Sequence, residues 1–121
     1  GNAQQNLKFA EQTLMEASKQ ENKSVRLLTV ASDEDKPKEI MLIDGDLQLL
    51  KILKTTFESH GVQVTTYSEG EIALQDLLKR SYSELPNLVI VERKLIDMDG
   101  IDILAKLKIH FKKTIPFYML T

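Results

Sequence analysis

The chain has 121 residues, of which 42% are hydrophobic and 28% are charged, and its formal net charge is −2. This length supports one small domain and excludes a large composite active site. With 16 basic and 18 acidic residues there is no basic excess for direct nucleic-acid binding, and the absence of cysteine excludes disulfides and thiol chemistry. Because no apolar stretch approaches the roughly 20 residues that span a bilayer, we expect a cytoplasmic protein without membrane contact.

The N-terminal region predicts a helix. Residues 4–22 contain good helix formers and neither Gly nor Pro. Small and apolar residues recur at steps of three and four, in a pattern typical of a coiled-coil seam. They are Leu7, Ala10, Leu14 and Ala17. This pattern is compatible with a solvated linker helix and with a dimerising signalling helix.

Two further segments separate this helix from the rest of the chain. Residues 25–30 either continue the helix or form a short strand, because so few residues have no decisive period. We therefore treat residues 1–30 as one linker or signalling unit. Residues 31–38 are charged, contain Pro37 and predict a linker.

Residues 39–121 have the pattern of an α/β domain. Short apolar runs alternate with amphipathic segments, as in βαβ units on a parallel sheet. Strands are predicted at residues 40–43, 62–67, 88–91 and 117–120, and helices at residues 47–59, 71–79 and 101–108. The sequence therefore predicts about four parallel strands and three helices, preceded by the N-terminal helix.

Each predicted helix has an apolar face. The side chains expected to point inward are Leu50, Leu53 and Phe57 in the first helix, Ile72, Leu74, Leu77 and Leu78 in the second, and Ile103, Leu104 and Leu107 in the third. Ser68 and Glu71 have the spacing of a capping box at the start of the second helix.

Polar residues follow the predicted strands at the points where the strands end. Asp44 and Asp46 come after the first strand, Glu92 after the third and Thr121 after the fourth. Because the carboxyl ends of parallel strands meet in one crevice, these groups are expected to lie together, and Mg²⁺ would relieve the repulsion between carboxylates. The alternative is that Asp44 and Asp46 only start a helix.

Successive segments of residues 39–121 resemble the landmarks of the response regulator receiver domain. In order they are IMLIDGD at 40–46, GVQVTTY at 61–67, SEGEIAL at 68–74, PNLVIVE at 86–92, MDG at 98–100 and PFYMLT at 116–121. The resemblance is specific because the segments keep the family's spacing. It implies a two-component signalling module with a doubly wound, flavodoxin-like parallel sheet, here without the last helix, strand and helix.

The resemblance also assigns roles to residues. In the family, an Asp after the third strand accepts a phosphoryl group from a histidine kinase, and Mg²⁺ is bound by an acidic pair after the first strand. Asp44 matches the first acid of that pair, Lys94 the position whose carbonyl completes the metal site, and Thr121 the switch hydroxyl. Glu92 stands at the phosphoacceptor position, and Gly45 replaces the second acid.

Both departures affect the same chemistry. The Glu92 carboxylate projects one methylene further than an Asp carboxylate, by about 1.5 Å of contour, which displaces the in-line geometry of phosphoryl transfer. Gly45 removes a metal ligand, so Mg²⁺ binding is expected to be weak or lost. We therefore expect a pseudo-receiver, not an enzyme, that regulates a signalling partner or an attached output domain. Glu92 is then either a mimic of the phosphoryl group or the remnant of a decayed site.

Two other functions stay open. One is a Mg²⁺-dependent phosphoacceptor in a histidine-kinase phosphorelay, with Glu92, Asp46 or Asp97 as the acceptor. The other is a dimerisation element, in which residues 4–30 associate and the rest is a spacer. The last strand is expected to have an exposed apolar edge, which recruits strands, so a homodimer through that edge is a further expectation.

Overall fold

The structure is a computed structural model that describes residues 3–21 and 37–120. Four α-helices and four β-strands form within these residues. In chain order they are α1 (Ala3–Glu21), β1 (Glu39–Ile43), α2 (Leu47–Ser59), β2 (Gln63–Tyr67), α3 (Gly70–Lys79), β3 (Leu88–Glu92), α4 (Gly100–Phe111) and β4 (Phe117–Leu120). The predicted segment 25–30, most of the predicted linker and Thr121 lie outside the described residues.

Most element boundaries lie within one residue of the predicted ones, and two differences are larger. A short 3-10 helix, Tyr82–Glu84, lies between α3 and β3 and was not predicted. Helix α4 continues to Phe111, three residues beyond its predicted end, and terminates where Lys112 adopts a left-handed conformation with φ of 56°.

The four strands form one parallel sheet in the order β2-β1-β3-β4. This order confirms the doubly wound, flavodoxin-like topology that the family resemblance implies. In the register of the sheet, Ile43 is paired with Tyr67 on one side and with Val91 on the other, and Glu92 is paired with Leu120. The carboxyl ends of all four strands therefore meet at one edge of the sheet.

Two apolar layers enclose the sheet. Residues of β1 and β3 alternate between the layers, as expected for strands buried on both faces. Ile40, Leu42, Leu88 and Ile90 point to the layer that contains α1 and α2. Met41, Ile43, Val89 and Val91 point to the layer that contains α3 and α4.

Helix α1 packs against the domain, on α2 and β3. Its side chains Phe9, Ala10 and Leu14 belong to the same buried cluster as Phe57 of α2. Ala10 and Leu14 are members of the predicted coiled-coil seam. In this structure those two side chains are thus buried against the chain's own sheet and α2.

Two predictions about α3 are wrong. Ile72 was expected to point inward, but it is 50% exposed because the buried face of α3 is formed by Ala73, Leu74 and Leu77. The capping box is also absent: the N-cap residue of α3 is Glu69, and it makes no side-chain capping bond. The first turn is capped instead by Asp97, from the loop between β3 and α4.

Candidate functional site

The turn between β1 and α2 is organised by two aspartates. Asp44 is buried, with 1% of its surface exposed, and its backbone N–H donates to the carbonyl of Tyr67 at 3.1 Å. Its Oδ1 accepts a hydrogen bond from the backbone N–H of Asp46 at 2.8 Å. Asp44 is therefore fixed at the carboxyl end of β1, where the sequence predicts an acid of the site.

Asp46 starts helix α2. It is the N-cap residue, and its Oδ1 accepts from the backbone N–H of Leu49 at 3.0 Å. This satisfies one of the orphan donors of the first helical turn. The carboxylate of Asp46 is thus engaged in capping, as the helix-start alternative predicts for this residue.

Glu92 reaches from the end of β3 to the turn after β1. Its Oε2 accepts a hydrogen bond from the backbone N–H of Gly45 at 3.2 Å. A Cβ at position 45 would lie 3.9 Å from the same oxygen, an ordinary contact distance. The structure therefore brings Asp44, Gly45 and Glu92 together, and the longer Glu side chain spans the gap between the two strand ends.

The donors at this edge do not suit a multi-carboxylate Mg²⁺ site. Within residues 3–21 and 37–120, no group of three or more His, Asp or Glu side chains is placed to hold a metal ion. Mg²⁺ demands near-ideal octahedral oxygen geometry, and it is usually bound through one or two carboxylates and water. Asp46 caps α2, and the Glu92 carboxylate already accepts from Gly45. The residues present therefore offer Mg²⁺ fewer charged ligands than the family's site does, because Gly45 stands in place of one acid.

The loop between β3 and α4 is tightly folded. Leu95 N–H donates to the carbonyl of Met98 at 3.0 Å, and Gly100 N–H donates to the carbonyl of Arg93. The predicted metal-site residue Lys94 is exposed and forms an antiparallel bridge with Asp99 in this loop. A closed loop of this kind holds Lys94 at the strand-end edge.

Asp97 joins this loop to helix α3. Its Oδ1 and Oδ2 accept from the backbone N–H groups of Gly70 and Glu71, each at 2.9 Å. Hydrogen bonds from Glu71 and then Gly70 lower the pKa of Asp97 below its usual value. Asp97 is therefore the capping group of α3. No local pattern indicates this role, because the carboxylate comes from a loop distant in the sequence.

A second polar cluster lies between α3 and the amino end of β1. Arg80 Nε donates to Asp76 at 2.8 Å, and its Nη1 donates to Glu39 at 3.1 Å. The hydroxyl of Tyr67 also donates to Asp76. The bond to Asp76, followed by burial, raises the pKa of Tyr67. Although burial raises the pKa of Asp76, hydrogen bonds from Arg80 and Tyr67 hold it below its usual value. No sequence pattern predicts this cluster, because its residues come from separate elements.

Comparisons with known proteins identify the family. The family model described as "Response regulator receiver domain" matches residues 40–121. The alkaline phosphatase synthesis transcriptional regulatory protein PhoP of Bacillus subtilis is 32% identical over 84 residues, which are 69% of this chain and 33% of that protein. The transcriptional regulatory protein KdpE of Mycobacterium tuberculosis is 35% identical over 57% of this chain and 29% of its own length. The chain thus spans about a third of these curated relatives.

Solved structures give the same result. A putative response regulator from Chloroflexus aurantiacus has a TM-score of 0.58 and 28% identity, over 69% of this chain and 66% of that one. The N-terminal domain of a response regulator receiver protein from Methanoculleus marisnigri has a TM-score of 0.57 and 27% identity, over 69% and 65% of the two chains. Among the described helices, none is long and apolar enough to cross a membrane. The chain belongs to the response regulator receiver domain family, the receiver module of two-component response regulators.

Proposed function

We propose that this receiver domain is a pseudo-receiver, a cytoplasmic module that regulates a protein partner or an attached output domain without being phosphorylated. The observation that carries the proposal is the position of Glu92. It stands where the family has its phosphoacceptor, and its carboxylate accepts a hydrogen bond from Gly45 N–H at 3.2 Å. The partner is a protein of the same signalling pathway, and a histidine kinase is one such partner.

The geometry argues against phosphoryl transfer to Glu92. In-line transfer depends on placing the attacking oxygen within a fraction of an ångström, and catalysis of this step is almost entirely positioning and charge stabilisation. The extra methylene moves the Glu92 carboxylate by about 1.5 Å along its contour. Gly45 also replaces one of the family's two metal-binding acids, so we expect weaker Mg²⁺ binding and less charge stabilisation for the transfer.

The hydrogen bond to Gly45 favours the phosphoryl-mimic form of the proposal over the decayed-site form. A charged acceptor held by a backbone N–H has a fixed position, since such bonds are stronger than neutral ones. The hydrogen bond therefore holds the Glu92 carboxylate at the edge of the sheet. In this role Glu92 keeps the module permanently in the state that its partner binds.

The test treats the chain with millimolar Mg²⁺ and a small phosphodonor, and measures intact mass. We expect no added phosphate on the natural chain, and no shift of its amide NMR signals with beryllofluoride. The matched variants are Glu92→Asp combined with Gly45→Asp, which restores both family acids, and Glu92→Asp combined with Gly45→Ala, which restores only one. The distance of 3.9 Å from a Cβ at position 45 to Glu92 Oε2 leaves space for the Cβ that both side chains share.

The alternative, a working phosphoacceptor, makes the opposite prediction. An added phosphate on the natural chain would refute the pseudo-receiver proposal. The variants Glu92→Gln, Asp46→Asn and Asp97→Asn would then identify the acceptor, because only one of them would abolish the added mass. In the structure, both aspartates already cap helices through backbone N–H groups, which argues against their acting as acceptors.

A further inference from the structure

A pocket lies at the amino-terminal edge of the sheet, opposite the strand ends that carry Glu92. Asn87 directly precedes β3 and Pro116 directly precedes β4, and both residues line the pocket. Helix α1 contributes Asn6 and the 3-10 helix contributes Tyr82, and the volume is about 320 Å³. The pocket is therefore separate from the family's site, and one wall comes from a helix outside the family match.

The side chain of Asn6 is an unpaired polar group of this pocket. Asn6 is only 6% exposed, although its amide can donate two hydrogen bonds and accept two. Within residues 3–21 and 37–120 that amide makes no hydrogen bond, and no side-chain nitrogen or oxygen there is both sealed from solvent and unpaired. The small exposed fraction of Asn6 therefore includes its amide, which opens into the pocket that Asn6 lines. Such an amide gains hydrogen bonds from whatever molecule occupies the pocket.

Asn87 adds a second amide, and its orientation is fixed. Its Oδ1 accepts from the backbone N–H groups of Lys38 at 2.8 Å and Glu39 at 2.9 Å. These two bonds determine which end of the amide is the oxygen. They leave the hydrogens of Nδ2 without a partner among the described residues. The lining thus includes a donor on Asn87 and both a donor and an acceptor on Asn6.

The other walls are mostly apolar and hold no countercharge. Leu85, Pro86, Ile115 and Pro116 form most of them, and the hydroxyl of Ser83 lies 3.2 Å from that of Ser81. None of the described lining residues carries a carboxylate, an ammonium or a guanidinium group. A charged ligand would lose hydration here without gaining an ion pair. The pocket therefore favours a neutral ligand.

Tyr82 is a rigid aromatic wall of the pocket. Its hydroxyl donates to the carbonyl of Thr114 at 2.6 Å, and its ring centroid lies 6.0 Å from that of Phe111. The ammonium of Lys113 lies 4.6 Å from the same centroid, outside the pocket lining. Tyr82 is 39% exposed, so part of this fixed side chain is open to a ligand. A planar ring gains stacking energy against an aromatic side chain held in this way.

We propose that this pocket binds a neutral planar heterocycle whose edge carries a hydrogen-bond donor next to an acceptor. An Asn amide pairs with such an edge through two parallel hydrogen bonds, as it does with adenine. In this arrangement the Asn6 amide binds the edge, Nδ2 of Asn87 donates to a further acceptor, and the ring lies against Tyr82. A volume of about 320 Å³ is at the lower end of ligand pockets, which suits a compound of one or two rings.

The test titrates the full ¹⁵N-labelled chain with adenine, uracil and 2-pyridone, each of which carries such an edge. We expect saturable NMR shifts of the side-chain NH₂ signals of Asn6 and Asn87, with a Kd in the millimolar range or tighter for at least one compound. The matched ligand is 1-methyl-2-pyridone, in which a methyl group replaces the donor hydrogen. It should bind at least about tenfold more weakly than 2-pyridone, because the acceptor of Asn6 is then left unpaired.

Two variants test the role of Asn6. Asn6→Leu removes the amide and keeps a side chain of similar size, and Asn6→Asp keeps the shape but replaces the donor with a charge. Both should abolish binding, and Asn6→Leu should leave Tm unchanged or higher, because an unpaired amide adds nothing to the fold. The control is Gln75→Leu, which removes an amide from an exposed position on α3, outside this pocket. It should bind the compounds as the natural chain does.

Four outcomes would overturn the proposal. They are the absence of saturable shifts with all three compounds, equal binding of 2-pyridone and its methyl derivative, binding that survives Asn6→Asp, and a marked fall in Tm from Asn6→Leu. The last result would show that the amide supports the fold instead of a ligand.

This inference does not rest on the state of Glu92. The titration reports on the amino-terminal edge of the sheet, and the phosphorylation assay reports on the carboxyl ends of the strands. A failure of one proposal is thereby distinguishable from a failure of the other.

Discussion

Replacing Asp97 with Ala should destabilise the domain by removing the cap of α3. The substitution removes two hydrogen bonds, each 2.9 Å long, from the first turn of that helix. Loss of a capping side chain costs about 1 kcal/mol, and the exposure of Asp97 to solvent argues against a larger value. We expect urea unfolding at neutral pH to show this loss, together with a fall in Tm of about 3 to 6 °C.

The effect has a defined pH dependence. Because the pKa of Asp97 is lowered in the folded state, its ionised form stabilises the fold above the unfolded pKa, near 3.9. This stabilisation is lost as the pH falls through the folded pKa, so the difference between the natural chain and Asp97→Ala should shrink in acid. Ser68→Ala is the control, because Ser68 has the sequence pattern of a cap but the α3 N-cap residue is Glu69. An equal loss from Ser68→Ala, or a deficit that persists in acid, would refute the reasoning.

Four further substitutions test other contacts, each by urea unfolding. Gly100→Ala should cost about 2 kcal/mol of stability, because a Cβ there would lie 2.7 Å from a backbone oxygen of β3. Gly45→Ala should change stability by less than about 0.5 kcal/mol, because its Cβ would lie 3.9 Å from the nearest atom. Equal losses from the two substitutions would contradict this reasoning. Arg80→Lys should cost about 1 kcal/mol, since Lys cannot reproduce the forked bonds of the guanidinium; an unchanged midpoint would show that the fork adds nothing. Tyr67→Phe removes the phenol of Tyr67, whose pKa is raised above its usual value of about 10. Because this pKa is raised in the folded state, the Tyr67 bond to Asp76 stabilises the fold below the unfolded pKa. The stabilising effect should disappear as the pH rises through the folded pKa. A stability difference between the natural chain and Tyr67→Phe that stays constant with pH would exclude this effect.

Local patterns predicted the strands and helices of the domain, because the apolar spacing of each element is visible within a few consecutive residues. The apolar run at residues 88–91 predicts a strand buried on both faces, and these residues are buried in β3. The meeting of Asp44 and Glu92 was also predictable, since parallel strands end at a common edge. The capping of α3 by Asp97 was not, because its carboxylate and the N–H groups it binds are 26 and 27 residues apart.

The packing of helix α1, which lies outside the family match, could not be predicted from local sequence either. Its apolar spacing was visible in the sequence and predicted a helix, which the structure contains. Spacing does not reveal which surface an apolar face will meet. A seam of small and apolar residues suits another helix and a sheet equally well, and only the fold shows Ala10 and Leu14 against α2 and β3.

The central pair of strands determines how this domain must fold. Glu39 and Asn87, which are joined by a hydrogen bond, are 48 residues apart. Strand β1 therefore cannot pair with β3 until the intervening segment, which contains α2, β2 and α3, has been closed into a loop. Loop closure on this scale precedes any gain from the contacts, so non-local parallel pairing is slow. Until it occurs, the apolar strand β3 has no neighbour in β1 and is exposed to aggregation. The exposed apolar strand can then associate with other chains, so refolding yield should fall as the protein concentration rises.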